Sequence, residues 1–440
     1  MAILIVLVFI AGYTLIAFEH PLKIDKAASA LLTGVLCWLV LLFGADQMPA
    51  FAHAAPEPAG GAAEGIHAAL FHHLGEISQI LFFLLGAMTI VELVDQHDGF
   101  KVITDKISTS DRVKLLWIIA WVTFFLSALL DNMTTAIILC ALLRRLLKDK
   151  EDLWLFGGFV VIAANAGGAW SPIGDVTTIM LWIGGQVSTF HIVSALFLAS
   201  VASLLAPLLA ATYFLRSKKG AALQGEAGQE EASEWTPGEQ TAMFVLGGAG
   251  LLLVPAFKSL THFPPYMGIL LSLALIWFFT AWLHRGKDED LRHEHSVATM
   301  LHRIDTPSIL FFLGILMAVG ALDTSGHLHL LAEGLDRTFG NIYVINTLIG
   351  ALSAIVDNVP LVAASMGMYD MSVFPTDHDF WNLLAYCAGT GGSMLIIGSA
   401  AGVAAMGILK IDFLWYLKRV SGYATLGYIA GIATYYLTHA

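Results

Sequence analysis

Long apolar runs alternate with short charged stretches along most of this chain. Predominantly apolar windows long enough to cross a hydrocarbon core of about 30 Å fall near 1–18, 27–45, 77–94, 188–215, 241–257, 265–284, 307–324 and 421–437. Four further segments, 113–148, 152–187, 341–370 and 380–410, are apolar at both ends but interrupted in the middle by polar or glycine-rich patches. The continuous windows predict membrane-spanning helices. The interrupted ones predict helices that stop at membrane depth.

Two interruptions share a pattern. Residues 127–135 read "SALLDNMTT" and residues 353–360 read "SAIVDNVP". An ionisable side chain inside the bilayer is costly and marks a functional site by default, so the repetition of Ser-x-x-x-Asp-Asn singles out both places.

Loop charge orients the chain, because Lys and Arg accumulate on the cytoplasmic side. The stretch 46–76 holds no Lys or Arg but carries Asp46, Glu57, Glu64, Glu76 and several histidines, so it is expected outside. Alternation then puts Lys23, Lys26, Lys101 to Lys114, Arg144 to Lys150, Arg216 to Lys219, Arg285 to Arg303, Lys410, Lys418 and Arg419 inside. Of 22 basic residues, 20 fall inside; only Lys258 and Arg337 fall outside. That count requires the two motif-bearing segments to enter and leave on one side. The arm Met133–Leu143, at 11 residues, reaches about 16 Å as helix, half the core thickness. The arm Val359–Tyr369 is equally long and ends at Asp370, in an acidic loop with Asp377 and Asp379 expected outside. Each motif is therefore expected at the tip of a re-entrant hairpin, one entering from each face. Irregular backbone at that depth is tolerated only when buried in protein or lining a watery cavity.

The two halves of the chain resemble each other. "LFFLLGAMTIVEL" (81–93) resembles "LFFLGILMAVGAL" (310–322), "SALLDN" matches "SAIVDN", and "NAGGAWSPIGD" (165–175) resembles "GTGGSMLIIGS" (389–399). On the orientation above, matched pairs run in opposite directions. The expected fold is an all-α polytopic membrane protein of two inverted-topology repeats, 1–215 and 241–440, with re-entrant hairpins and broken helices at the midplane, joined by a polar cytoplasmic linker at 216–240. Such inverted repeats are the architecture of secondary transporters. Composition agrees: 57% hydrophobic, 13% charged and mean hydropathy +0.75 exclude an ordinary soluble domain. Cys37, Cys140 and Cys387 sit in apolar runs without pairing or metal spacing. The N-terminal run lacks a basic leader and a small-residue cleavage site, so it is read as a retained first span.

Candidate chemistry concentrates at the interruptions. Ser127 and Asp131 share one helical face, as do Ser353 and Asp357. With Asn132, Thr134, Thr135 and Asn358 they make a nest of hard oxygens suited to a small hard cation. The second patch adds Asn165, Asp175, Thr177 and Thr178, with Gly167, Gly168 and Pro172 expected to break the helix; Gly391 and Gly392 are the equivalent breaks in the other half. Na⁺ is expected at Asp131, Asn132, Asp357, Asn358 and Asp175. A serine or threonine there could equally be a helix-to-helix hydrogen bond, which is the commoner role for Thr134, Thr178 and Ser393 taken singly. The aspartates differ. No basic residue lies near them, and a carboxylate that holds either a proton or a cation makes the two compete for one site. Asp175 has no acidic counterpart, since Ser399 occupies the matching place. His53, His67, His72 and His73 in the outer stretch read as a solvated face that could titrate near neutrality, with His97 at a cytoplasmic helix end. "RHEH" (292–295) lacks metal-ligand spacing and is assigned no role.

The paired Ser-x-x-x-Asp-Asn tips, the Thr-Thr after the first, and "GGAWSPIGDVTT" between them resemble the NhaD-type sodium/proton antiporters of bacteria, in the ion-transporter superfamily that also holds arsenite pumps, citrate carriers and dicarboxylate/sodium symporters. The resemblance covers both halves. It implies exchange of external H⁺ for cytoplasmic Na⁺ or Li⁺, a multi-pass protein of the bacterial cytoplasmic (inner) membrane, and homodimers whose hairpin-bearing units move like elevators. The dicarboxylate branch carries a Ser-Asn-Thr tip, whereas aspartate precedes asparagine at both tips here. No enzyme activity, cofactor or nucleic-acid partner is expected; the partners are membrane lipid and a second copy. A sodium-coupled anion carrier of the same fold would favour midplane Arg or Lys. An intramembrane aspartyl protease needs Gly-x-Gly-Asp, and Pro172 stands where its first glycine belongs.

Overall fold

The computed structural model describes residues 2–17, 19–44, 61–107, 109, 111–217, 235–286 and 297–439. Asp46, His53, Glu57, the 292–295 tetrapeptide and most of the 216–240 linker lie outside the described residues. What is described is helical: α1 (Ala2–Ala17), α2 (Lys26–Phe43), α3 (Gly61–Gln96), α4 (Arg112–Leu130), α5 (Asn132–Leu146), α6 (Lys150–Ala169), α7 (Val176–Ile183), α8 (Thr189–Ser217), α9 (Pro237–Thr261) and α10 (Pro265–Leu283), then α11 (Thr306–Thr324), α12 (His327–Phe339), α13 (Ile342–Ser353), α14 (Asn358–Met368), α15 (Asp379–Gly391), α16 (Ala400–Leu409), α17 (Phe413–Arg419) and α18 (Ser421–His439), with a few single turns between. Among the described residues eight helices are long and apolar enough to cross a membrane, or nine if α16 and α17, bent by 115°, count as one span. The chain is a polytopic α-helical membrane protein.

Polar residues at the heads of the apolar runs start these helices. Asp25 accepts from the Ala27 amide at 2.7 Å, Asp111 from Lys114 at 2.9 Å and Asp149 from Asp152 at 2.9 Å, heading α2, α4 and α6. Thr236 and Glu239 form a reciprocal capping box before α9, with Pro237 in the first turn. The linker therefore ends sooner than expected, because 216–217 continue α8 and 237–240 open α9.

Two other expectations are corrected. The span at 77–94 lies within α3, 36 residues long, or about 54 Å. The stretch 61–76 holds no proline and four alanines, the best helix former, so no strong break stops the helix where the apolar run begins. The arm behind Asp131 is 15 residues rather than 11, running to Arg144 and Arg145 in its last turn, where basic side chains suit a helix C-terminus. No element was expected at 327–339; α12 there is amphipathic, burying Leu328 and Ala332 and exposing a Glu333–Arg337 pair.

Two bodies of packing position the interruptions. In one, α2 lies against α11 so closely that a Cβ on Gly34 would sit 2.6 Å from the Gly314 carbonyl oxygen, and Trp38 donates to the Met317 carbonyl at 2.8 Å. Helices α1, α3, α9 and α10 extend this body. In the other, α6 and α15 form the centre: α6 is nearly all buried, flanked by α4, α5, α8 and α16, while α15 packs on α6, α13 and α18. The turn after α7 meets the loop before α15, where the Asp377 amide donates to the Gln186 carbonyl at 2.8 Å and the Ser188 amide donates to Asp377 at 2.6 Å.

Candidate ion-binding site

Four helices begin at the interruptions, three on a candidate aspartate and the fourth on Ser399. Asp131 stands between α4 and α5 with φ +120° and ψ 162°, a strained conformation that is ordinarily glycine's. Its Oδ1 accepts from the Thr134 amide at 2.7 Å and its Oδ2 from the Thr134 hydroxyl at 2.8 Å. Asp175 caps α7: Oδ1 accepts the Thr177 amide at 2.9 Å and hydroxyl at 2.8 Å, while Oδ2 accepts the Asn132 amide at 2.5 Å. Asp357 caps α14 by accepting from the Val359 amide at 3.1 Å. Ser399 caps α16, accepting from the Gly402 amide at 3.2 Å.

A buried network joins the two halves of the chain. Asn132 donates to Asn165 Oδ1 at 3.0 Å, and Asn165 donates in turn to Ser393 at 2.8 Å and Ser399 at 2.9 Å. Asn132, Asn165, Asp175, Thr177, Ser393 and Ser399 are thus one cluster, all buried. Asp131 with Thr134, and Asp357 with the buried Asn358, stand beside it as separate caps. The charges of both Asp131 and Asp357 act on Asp175, so the three carboxylates share one electrostatic neighbourhood. None of the three is in an ion pair among the described residues. A helix N-terminus by itself favours anions; the carboxylates offset that field and leave oxygens that suit a cation or a proton.

Ser127 and Ser353 point elsewhere. Ser127 donates to the Ala164 carbonyl at 2.6 Å and Ser353 to the Ala388 carbonyl at 2.8 Å, tying α4 to α6 and α13 to α15. Thr178 donates to the Asp175 carbonyl at 2.8 Å. The Thr135 hydroxyl is buried and has no hydrogen-bond partner among the described residues.

The glycines are a correction. Gly167 and Gly168 do not break α6, which continues to Ala169; the break is 170–174, around Pro172. What these glycines permit is close approach. A Cβ on Gly167 would strike the Phe124 carbonyl of α4, and one on Gly168 the Gly174 carbonyl. Gly391 and Gly392, at the end of α15, meet the Gly350 and Gly398 carbonyls in the same way, the latter at 2.6 Å.

The histidine expectation also changes. His67 and His72 are exposed, but His73 packs into the groove between α3 and α11, 3.1 Å from the Thr324 hydroxyl and 3.9 Å from Asp323. Helix α3 simply turns that side chain inward. His97 is fully buried, its Nε2 3.0 Å from His284 Nε2, with the Trp235 ring over both. Nothing in the sequence paired residues 187 positions apart.

The family model described as "Citrate transporter" matches residues 13–381. Sodium/proton antiporter 2 of Arabidopsis thaliana is 48% identical over 98% of this chain and 99% of its own. Sodium/proton antiporter 1 of the same plant is 49% identical, over 98% and 72%. The Na(+)/H(+) antiporter NhaD of Vibrio cholerae is 32% identical, over 98% and 90%. The chain belongs to the NhaD-type antiporter family. It is a family of transporters, in keeping with the polytopic fold. Two members of the buried cluster, Ser393 and Ser399, were visible in the sequence only as equivalents of the first half; their bond to Asn165 was not.

Proposed function

We propose that this protein is a secondary active transporter exchanging cytoplasmic Na⁺, and Li⁺, for external H⁺. The observation that carries the reading is the group of three carboxylates, the buried Asp175 and the half-buried Asp131 and Asp357, sharing one electrostatic neighbourhood at helix starts with no ion pair among the described residues. In this reading Na⁺ is held among Asp131, Asn132, Asp175, Asp357 and Asn358, with Thr134, Thr135, Thr177 and Thr178 supplying hydroxyl or cap support. Ser127, Ser353 and Asn165 hold the tips in place. The transported ions replace any resident cofactor.

The reading includes two inverted repeats, 1–215 and 241–440, each with a re-entrant hairpin, α4–α5 and α13–α14. Matched local packing supports it: Ser127 and Ser353 tie equivalent helix pairs, and Gly167, Gly168, Gly391 and Gly392 face equivalent carbonyls. At about 22 Å and 16 Å, α5 and α14 are too short to cross the core. The unit around α6 and α15 would move against the body containing α2 and α11, in a homodimer set in the cytoplasmic membrane of a bacterium. A cysteine at Lys148 then labels from the cytoplasm. One at Asp370, in an exposed turn where the Ser372 amide holds the carboxyl below its usual range, labels only from outside. Labelling of both from one side would mean the halves are not inverted.

The decisive assay is dequenching of a pH dye in everted vesicles. NaCl and LiCl should dissipate the proton gradient, and succinate should not. The citrate-transporter family model favours a second reading, a sodium-coupled carboxylate carrier of the same fold. A succinate or citrate response without a Na⁺ response would establish that one instead.

A further inference from the structure

Loop charge leaves two basic residues on the outer side, and their surroundings differ. Arg337 pairs with Glu333 at 3.1 Å on an exposed helix face. Lys258, in the last turn of α9, is half-buried and takes part in no ion pair among the described residues. A lysine inside a membrane helix is costly and marks a function by default, so what it touches matters.

It touches the C-terminal end of α7. Lys258 Nζ donates to the Trp182 carbonyl and stands 4.4 Å from the centroid of the Trp182 ring. The Met180 and Leu181 carbonyls already accept from the Gly184 and Gln186 amides, each at 2.9 Å. Lys258 thus serves one of the carbonyls that a helix end leaves open. The negative end of the α7 dipole and the face of an indole both attract a cation. Trp182 itself is held firmly: it is fully buried, its Nε1 donates to the Thr189 hydroxyl at 2.9 Å, and the Phe83 ring of α3 meets it edge-on at 6.3 Å.

The contact crosses from one body of packing to the other. Helix α9 packs on α3 and α10, whereas α7 packs on α14 and α15. Helix α7 is eight residues long, about 12 Å, and Asp175 caps its other end. A group that holds one end of so short a rod also fixes the other.

We infer that Lys258 is a positioning residue: it latches α7, and Asp175 with it, to the body of α3, α9 and α10 in this arrangement and lets go when the unit around α6 and α15 moves. The inference rests on the exchange reading above. A bond made in one arrangement and absent from the other sets the ratio of the two.

The test is Lys258→Met, which keeps an apolar stem over the Trp182 ring and removes the ammonium, beside Lys258→Arg, which keeps the charge. Losing a hydrogen bond from a charged donor should shift the ratio of arrangements roughly tenfold. Apparent affinity scales with the fraction of molecules competent to bind. The Na⁺ half-saturation constants measured from the two membrane faces, in right-side-out and everted vesicles, should therefore change their ratio by the same factor. Lys258→Arg should recover most of that change. Spin labels at Phe71→Cys on α3 and Val373→Cys after α14, both exposed, read the populations in detergent for a variant that inserts poorly; Cys37, Cys140 and Cys387 are buried. The distance that matches this structure should lose population roughly tenfold relative to the other. A Lys258→Met protein that melts earlier but keeps both wild-type ratios overturns the inference and leaves Lys258 as a helix cap. So does a wild-type protein with one label distance whether or not Na⁺ is present. Wild-type protein without Na⁺-driven proton movement overturns instead the reading beneath it.

Discussion

Asp357→Asn and Asp131→Asn each abolish Na⁺-dependent proton movement while the protein still folds and inserts. The expectation separates charge from structure, because both aspartates are helix caps. Asparagine caps about as well as aspartate, whereas alanine costs about 1 kcal/mol. Asn also has the size and shape of Asp, so it adds no new strain to the positive φ of position 131. The substitution thus keeps the amide caps from Thr134 and Val359 and removes the negative charge, while the Thr134 hydroxyl, which donates to Oδ2 of Asp131, must turn to accept from the new amide. What remains is a pair of helix starts whose partial positive charge repels a cation. Asp175→Asn should also be damaging, but its meaning is less pure: Asp175 accepts three hydrogen bonds, one from Asn132, so the substitution places two amides face to face and disturbs the cluster. The measurement is dye dequenching in everted vesicles, normalised to membrane content of each variant. Normal exchange by Asp357→Asn would move the proton to another carrier, with His73 and the buried His97 the next groups to test.

The apparent Na⁺ half-saturation constant of the wild-type protein rises as pH falls. If a carboxylate holds a proton or a cation but never both, each unit of pH lost gives the proton a tenfold advantage, about 1.4 kcal/mol. The constant should climb by up to that factor per competing proton. The sign follows directly: acid favours the protonated carboxyl, so cation binding is present at alkaline pH and lost on acidification. Half-saturation measured across the pH range for NaCl and LiCl checks it. A constant independent of pH would mean that proton and cation do not share a site.

How much of this was legible in the sequence depended on how local the cause was. The positions of both Asp-Asn tips are legible in a few neighbouring residues; the capping box at Thr236 and Glu239 is as local in cause, but it lies inside the stretch expected as linker. The length of α3 is not legible, because the end of an apolar run is no signal to end a helix. Gly167 and Gly168 were misread for a related reason. Glycine weakens a helix, but where two backbones must touch it is the residue that lets them, and only the partner, the Phe124 carbonyl or Gly174, tells the two roles apart.

The sequence by itself determined that this is a many-helix membrane protein, where its helices are interrupted, and that carboxylates, amides and hydroxyls sit at the interruptions without a base beside them. Those are properties of composition and spacing, set by the cost of polar groups in hydrocarbon. The tertiary structure alone decided which of those groups meet. Asn165 bonds Asn132 on one side and Ser393 and Ser399 on the other, across more than 220 residues of chain. Contacts of that separation depend on how helices pack, and no local pattern encodes them.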